Sequence, residues 1–111
     1  MTTDFNKKDW KAVKRRALFA TELVAKLALL DGWKLDGDGS SVAIEKSFHF
    51  KDYFETMAFV NGVALVAHRQ DHHPDLSVCY NRCTVRLNTH DVAGISSTDF
   101  DCATQIDALL A

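Results

Sequence analysis

The sequence has one proline, five glycines and three cysteines, and it carries no large excess of charge of either sign. The formal net charge of −2 gives no overall field that would favour nucleic acid or an acidic membrane surface. No run reaches the roughly 18 apolar residues that a membrane span requires. The first residues lack the apolar core and the cleavage site of a secretory signal, so we expect a cytoplasmic protein with no nucleic-acid or membrane partner.

The three cysteines have neither zinc-like nor redox spacing. Cys79 and Cys83 are four positions apart, and no second pair of cysteines or histidines completes a tetrahedral set. We therefore expect Cys79, Cys83 and Cys102 to be free thiols that act as small hydrophobic residues in a reducing compartment.

At 111 residues, with 47% hydrophobic and 25% charged residues, the chain has the length and composition of a single globular domain. Apolar residues every three or four positions predict an amphipathic helix over about residues 10–30, ended by Asp31-Gly32. Its apolar positions are Trp10, Val13, Ala17, Thr21, Val24 and Leu27. The basic residues in and before it are expected to form a solvated helix face: Lys7, Lys8, Lys11, Lys14, Arg15 and Arg16.

Two predicted strands follow, from Trp33 to Leu35 and from Val42 to Phe50, with a glycine-rich turn between them. In the second strand Lys46 interrupts the alternation of apolar and polar residues. Asp52 and Glu55 are typical of an N-cap pair that opens a second helix, running to about Arg69. This helix is apolar on much of its circumference, which favours burial by its own sheet and by a partner subunit.

The C-terminal third predicts another hairpin and a last helix. Val78 and Tyr80 indicate a third strand, Asn81-Arg82 a turn, and residues 83–88 a fourth strand. Ser96-Ser97-Thr98-Asp99 is a capping signature for a helix that carries Phe100, Ala103, Ile106 and Leu110. The order α-β-β-α-β-β-α predicts an α+β two-layer sandwich, with a four-stranded antiparallel sheet and three helices on one face.

Four of the five histidines lie between His68 and His90. Because imidazole titrates near neutral pH, several histidines that converge on one place favour proton transfer or metal binding. His72 and His73 follow the second helix and His90 follows the last strand, so all three lie at element ends that can line a cleft. His68 stands one turn before His72 and either supports the site or caps the helix, whereas His49 is expected to be an ordinary surface residue.

A metal site is the main rival to acid–base chemistry, since three histidines can bind zinc with an open fourth position. Adjacent histidines are poor chelating geometry, however, and no His-Glu-x-x-His or His-x-His motif is present. Nucleophilic catalysis has less support, because no serine or cysteine stands in a recognisable activated motif.

These residues resemble the pterin-4a-carbinolamine dehydratase family, also called dimerisation cofactor of a homeodomain transcription factor. The family pattern is matched by His68, His72-His73-Pro74, Tyr80, His90 and Asp99 at fitting spacings. The likeness extends through Gly32-Trp33, residues 48–53, 89–91 and 93–96, and covers about residues 10–111 as one domain. Residues 1–9 lie outside it, and we expect them to form a flexible extension.

The resemblance implies a 4a-hydroxytetrahydrobiopterin dehydratase that removes water across C4a–N5 in tetrahydrobiopterin recycling, without a cofactor. It implies catalytic roles for His72, His73 and His90. Substrate contacts are implied for those histidines and for four more residues: Asp71, Asn88, Thr89 and Asp91. His68 stands where a glutamate is frequent in the family, which leaves the orientation of an imidazole by a carboxylate open at that position.

The implied partners are a pterin substrate, a second copy or three further copies of the chain, and a pterin-dependent aromatic amino acid hydroxylase that supplies the substrate. The alternative function is a protein-interaction or transcriptional coactivator module of the same fold, since animal members of the family also bind a transcription factor.

Overall fold

A computed structural model describes residues 15–111, and the predicted extension 1–9 and the first residues of the predicted helix 10–30 lie outside this range. Within residues 15–111 the chain forms three helices and four strands, in the predicted order. They are α1 (Ala20–Leu27), β1 (Lys34–Asp36), β2 (Ala43–His49), α2 (Tyr53–Gln70), β3 (Asp75–Cys79), β4 (Arg82–Leu87) and α3 (Ser97–Ala108). Two 3₁₀ turns, Gly39–Ser41 and His90–Val92, complete the described part.

The four strands form one antiparallel sheet in the order β1-β2-β4-β3. Alternate residues of β2 and β4 face the helices and are buried, for example Ile44 opposite Leu87 and Phe48 opposite Cys83. The core is completed by Phe59, Val63 and Val66 of α2 and by Phe100, Ala103 and Ile106 of α3. The predicted two-layer α+β sandwich is therefore confirmed.

The prediction of a helix from about residue 10 is wrong for residues 15–19, which are not helical. The Glu22 carboxylate accepts the backbone N–H of Phe19 at 2.9 Å, so the helix begins immediately afterwards. Two hydrogen bonds from Arg16 hold that carboxylate and lower the pKa of Glu22 to about 2. In addition, the Leu18 N–H donates to the Ile95 carbonyl oxygen at 2.8 Å, which ties this segment to a distant loop.

Lys46 interrupts the sequence pattern because it lies on the helix side of the sheet. Its ammonium group contacts Asp107 of α3 at 2.9 Å, and it also lies 5.0 Å from the centre of the Phe48 ring. The second oxygen of Asp107 accepts the indole N–H of the buried Trp33 at 3.0 Å. The charge at the edge of the core is thus paired, as a partly buried ion requires.

Several boundaries differ from the sequence prediction by one residue, including both ends of β2, which spans Ala43–His49 instead of 42–50. Strand β1 begins at Lys34, and the second hairpin turns at Tyr80-Asn81 so that Arg82 already belongs to β4. The Asp52 side chain accepts the Glu55 N–H at 2.8 Å, which confirms the predicted start of α2. One side of α2 packs in the core, whereas Tyr53 and Phe54 are exposed.

Cys79 and Cys83 are free thiols, as predicted, and Cys83 and Cys102 are buried in the hydrophobic core. Burial raises the pKa of the Cys83 thiol, which keeps it protonated. Within residues 15–111, no helix combines the length and the apolar character that crossing a bilayer requires.

Candidate active site

The loop after α2 directs two adjacent histidines to different places. Asp71 ends the helix in the left-handed conformation (φ 48°), and the His72 N–H reaches back to the Ala67 carbonyl oxygen at 3.0 Å. This reversal turns His72 into the molecule, where it is 5% exposed, and leaves the next residue, His73, exposed.

The loop after β4 carries the third histidine. Thr89 and Gly94 pair through two backbone hydrogen bonds of 2.8 and 3.4 Å, which close a short loop around the 3₁₀ turn His90–Val92. Ala93 completes the loop in the left-handed conformation (φ 50°). His90 lies at the start of this closed loop and is exposed.

The two loops face each other across a cleft of about 430 Å³. The cleft contains six of the seven predicted site residues, including all three proposed catalytic histidines. Its lining residues are Arg15, Asp71, His72, His73, Pro74, Asp75, Asn88, His90 and Asp91. The structure therefore brings together side chains from two distant parts of the chain, and a cleft of this size suits a small-molecule ligand.

Asp99, at the start of α3, organises the buried side of this cleft. It is 0% exposed, and one of its oxygens is hydrogen-bonded to Nε2 of His72. The other oxygen accepts the Thr89 hydroxyl at 2.7 Å and the Ser96 backbone N–H at 2.9 Å. With both oxygens occupied, the carboxylate holds the imidazole of His72 in a fixed position.

Thr89 is the one predicted substrate-binding residue that the structure does not bring to the cleft. Its side chain is 0% exposed, and its hydroxyl is shared between Asp99 and the Ser96 hydroxyl, the latter at 2.7 Å. Thr89 therefore lies behind the cleft and supports Asp99.

Asn88 lies in the cleft wall between β4 and the His90 loop. Its amide N–H donates to the Val42 carbonyl oxygen, which fixes the side chain. Its own Oδ1 is buried and accepts no hydrogen bond from the described residues. A buried acceptor without a partner is costly, and this oxygen is covered by protein and not open to a ligand in the cleft.

His68 does not line the histidine cleft. It faces an adjacent, more apolar groove of about 360 Å³ that also contacts His73 and Pro74, so His73 lies between the two depressions. The backbone carbonyl of His68 accepts the Asp71 N–H at 3.2 Å, and its side chain is exposed. His49 is exposed on the open face of the sheet, as predicted.

The charges that line the cleft are unequal. Three carboxylates, those of Asp71, Asp75 and Asp91, share it with one guanidinium, that of Arg15. Such a wall favours ligands that present N–H donors. Between residues 15 and 111, no three His, Cys, Asp or Glu side chains are grouped so that they could hold a metal ion, so the rival zinc site has no ligand set there.

Sequence reasoning missed three residues that belong to this site. Asp99 was interpreted as a helix-capping residue and a pattern match, without a predicted place beside a histidine. Arg15 was assigned to a solvated helix face, which is wrong because its side chain is only 16% exposed and lines the cleft. Nothing in the sequence indicated a place in the cleft for Asp75, apart from its position two residues after the His-His pair.

Known proteins are similar to this chain over most of its length. Residues 16–109 match the sequence model of the family described as pterin 4 alpha carbinolamine dehydratase. A Paracidovorax citrulli protein is 65% identical over 95% of this chain and 90% of its own length. A Bdellovibrio bacteriovorus protein is 50% identical over 85% of this chain and 78% of its own. Both relatives are provisionally named pterin-4-alpha-carbinolamine dehydratase.

Among solved structures, a Brucella melitensis protein described as a transcriptional coactivator/pterin dehydratase superposes with a TM-score of 0.80 at 34% identity, covering 86% of this chain and 100% of that one. A pterin dehydratase-like protein described as a RuBisCO assembly factor of the alpha-carboxysome shares the fold, with a TM-score of 0.61 at 22% identity over 70% of this chain and 88% of that one. The chain belongs to the pterin 4 alpha carbinolamine dehydratase family, a family of hydro-lyases.

Proposed function

We propose that the protein is a 4a-hydroxytetrahydrobiopterin dehydratase that acts in tetrahydrobiopterin recycling by histidine general acid–base catalysis. The observation that carries this proposal is the convergence of His72, His73 and His90 on one cleft. The reaction breaks the C4a–O bond, protonates the departing hydroxyl to water, removes the proton on N5 and forms the C4a=N5 double bond. Imidazoles suit both proton transfers near neutral pH.

The three histidines would divide these roles. His73 and His90 are exposed and lie on opposite loops, so each can reach a different part of a flat ligand. His72 is held from behind by Asp99, which suits a group that must keep one orientation during the reaction. The pterin ring carries several N–H donors, and the carboxylates of Asp71 and Asp91 are acceptors in the same cleft.

The test is a stopped-flow measurement of the decay of the 4a-hydroxypterin with single variants. We expect His73→Ala and His90→Ala each to slow the reaction about 10²–10⁴-fold, the usual contribution of a positioned proton-transfer group. For the buried position we would use His72→Gln and record thermal unfolding beside the rate. His49→Ala is the matched control, since that histidine is exposed far from the cleft, on the sheet's open face. Rates near wild type for all three site variants would refute the proposal.

The substrate would be supplied by a pterin-dependent aromatic amino acid hydroxylase in the cytoplasm. A coupled assay with such a hydroxylase tests this link directly: the protein should accelerate conversion of the 4a-hydroxypterin that the hydroxylase releases into quinonoid dihydropterin. If a saturating amount of the protein did not accelerate this conversion, the proposed link to the hydroxylase would be wrong.

We also propose that the chain self-associates into a dimer or tetramer. Tyr53 and Phe54 begin α2 and are 52% and 82% exposed, which is unusual for adjacent aromatic residues of a soluble surface. The coactivator alternative draws on the same surface and on the similar Brucella melitensis protein, which is described as a transcriptional coactivator/pterin dehydratase. Self-association is favoured because nothing on that surface specifies a foreign partner.

A further inference from the structure

The Arg15 side chain reaches across the cleft from a segment that belongs to neither histidine loop. Its Nη2 lies 3.4 Å from the Asp71 carbonyl oxygen, and its Nη1 lies 3.6 Å from Oδ2 of Asp91. The side chain is 16% exposed although it is among the longest and most polar in the protein. The guanidinium therefore has two anchors, one on each side of the cleft.

Both anchors are direct chain neighbours of the site histidines. Asp71 immediately precedes His72, and Asp91 immediately follows His90. At their base the two loops are joined by the pairing of β3 with β4 and by Asp99, which bonds both His72 and Thr89. Arg15 adds a further contact between the loops, from the segment before α1.

The backbone beside Arg15 is anchored as well. The Leu18 N–H donates to the Ile95 carbonyl oxygen at 2.8 Å, and Ala17 packs on Gly94, where an added Cβ would stand 3.5 Å from the Ala17 Cβ. Gly94 and Ile95 end the loop that carries His90. The guanidinium thus extends from a segment whose own position is fixed against that loop.

Charge supports the same arrangement. Arg15 is the only arginine or lysine lining the cleft within the described part of the chain, against three aspartates. Two of these aspartates, Asp71 and Asp91, lie on the opposing loops, and the Arg15 guanidinium contacts both residues.

We propose that Arg15 is a positioning residue of the active site, which braces the His72-His73 loop against the His90 loop and so sets the distance between the acid and base histidines. This rests on the proposed dehydratase function. Reaching both anchors needs the forked, planar guanidinium, which the single ammonium group of a lysine does not replace.

The experiment compares Arg15→Ala, Arg15→Lys and Arg16→Ala in the full-length protein. Arg16 is the matched control because it is adjacent in sequence, 60% exposed on its side chain, and paired with Glu22 away from the cleft. We expect Arg15→Ala to lower kcat about 10–100-fold, the scale at which misplaced catalytic groups lose rate. Arg15→Lys should recover only part of this loss, and Arg16→Ala should keep the wild-type kcat.

Three results would overturn the proposal. One is a wild-type kcat in Arg15→Ala, and another is an equal loss in Arg15→Ala and Arg16→Ala, which would indicate a general charge effect. The third is a rise in KM with unchanged kcat, because that would make Arg15 a ligand-binding group and not a brace.

Amide hydrogen exchange of the ligand-free protein separates this proposal from the dehydratase assignment. Faster exchange across residues 88–94 in Arg15→Ala, but not in Arg16→Ala, would support the brace even if the wild-type protein had no dehydratase activity. Unchanged exchange in both variants would overturn the brace whatever the wild-type rate.

Discussion

At the scale of single residues, the site depends on a carboxylate that no ligand in the cleft would touch. Asp99 is fully buried and uses both oxygens, one for His72 and the other for Thr89 and the Ser96 backbone. The same residue therefore starts α3, supports the floor of the cleft and orients an imidazole. Such groups behind a site often matter as much as the groups that contact the ligand.

Asp99→Asn should weaken both the fold and the reaction. The amide has nearly the same shape but replaces one acceptor oxygen by a donor, which would face a hydroxyl, a backbone N–H or the imidazole. We expect a loss of about 2–3 kcal/mol in the free energy of unfolding, measured by urea titration, the cost of a buried group left without its partner. The rate of 4a-hydroxypterin decay should fall at least about 10-fold, since His72 loses its orientation.

Asp101→Asn is the control for this change, since Asp101 lies two residues further along α3 and is exposed. It should leave both the urea midpoint and the rate within error of wild type. An Asp99→Asn protein with the wild-type midpoint would show that the buried network does not stabilise the fold.

At the scale of elements, the β1–β2 hairpin shows how a turn is held by a residue of a third strand. Arg86 of β4 donates to Asp36 at 2.5 Å, to Glu45 at 3.1 Å and to the Ser41 carbonyl oxygen at 2.7 Å. The turn between the strands begins at Gly37, which has φ +80° and lies close to this same carbonyl group. Glycine is required at this position for two reasons: the backbone has a positive φ, and a side chain would collide with the Ser41 carbonyl oxygen.

Gly37→Ala and Gly39→Ala form a matched pair that separates these two requirements. Both glycines have positive φ, but a Cβ on Gly37 would stand 2.8 Å from the Ser41 carbonyl oxygen, whereas a Cβ on Gly39 would have nothing within 4 Å. We expect Gly39→Ala to cost about 1 kcal/mol from the left-handed conformation alone, and Gly37→Ala clearly more. Urea unfolding of the two variants measures the difference, and equal costs would mean that the turn relaxes around the added methyl group.

At the scale of the whole molecule, the helix layer is buried on its sheet side and carries exposed aromatic residues where α2 begins. Phe59, Val63 and Val66 are the α2 residues that are buried in the core. Tyr53 and Phe54 are not part of that core, so packing within one chain does not account for aromatic residues at these two positions. Apolar surface of this kind is typical of an interface between subunits.

Phe54→Glu should therefore weaken self-association. The substitution places a charge on a surface that we propose is buried between copies, and it removes nothing from the core because Phe54 is 82% exposed. Size-exclusion chromatography with light scattering should show a smaller species than the wild-type oligomer. Leu29→Glu is the control, at a residue that is 84% exposed outside α2, and it should leave the mass unchanged. A monomeric wild-type protein would contradict the self-association proposal.

Much of this molecule follows from local sequence alone. Asp52 and Ser96 cap α2 and α3 as their side-chain chemistry predicts, and the alternation of apolar residues in β2 and β4 defines the buried face of the sheet. The histidine cluster was likewise visible, because residues at the ends of neighbouring elements tend to meet. These features depend on chain neighbours a few positions apart, which the sequence displays directly.

Tertiary structure decided the rest, and in each case through a partner that is remote in sequence. The Leu18 N–H donates to the Ile95 carbonyl oxygen, so the first helix begins later in the chain than predicted. Lys46 faces the core because Asp107 pairs with it. Thr89 turns away from the cleft toward Asp99, and Arg15 enters the cleft between two loops. Periodicity records which face of an element is apolar, but it holds no information on which distant polar group will satisfy a given side chain.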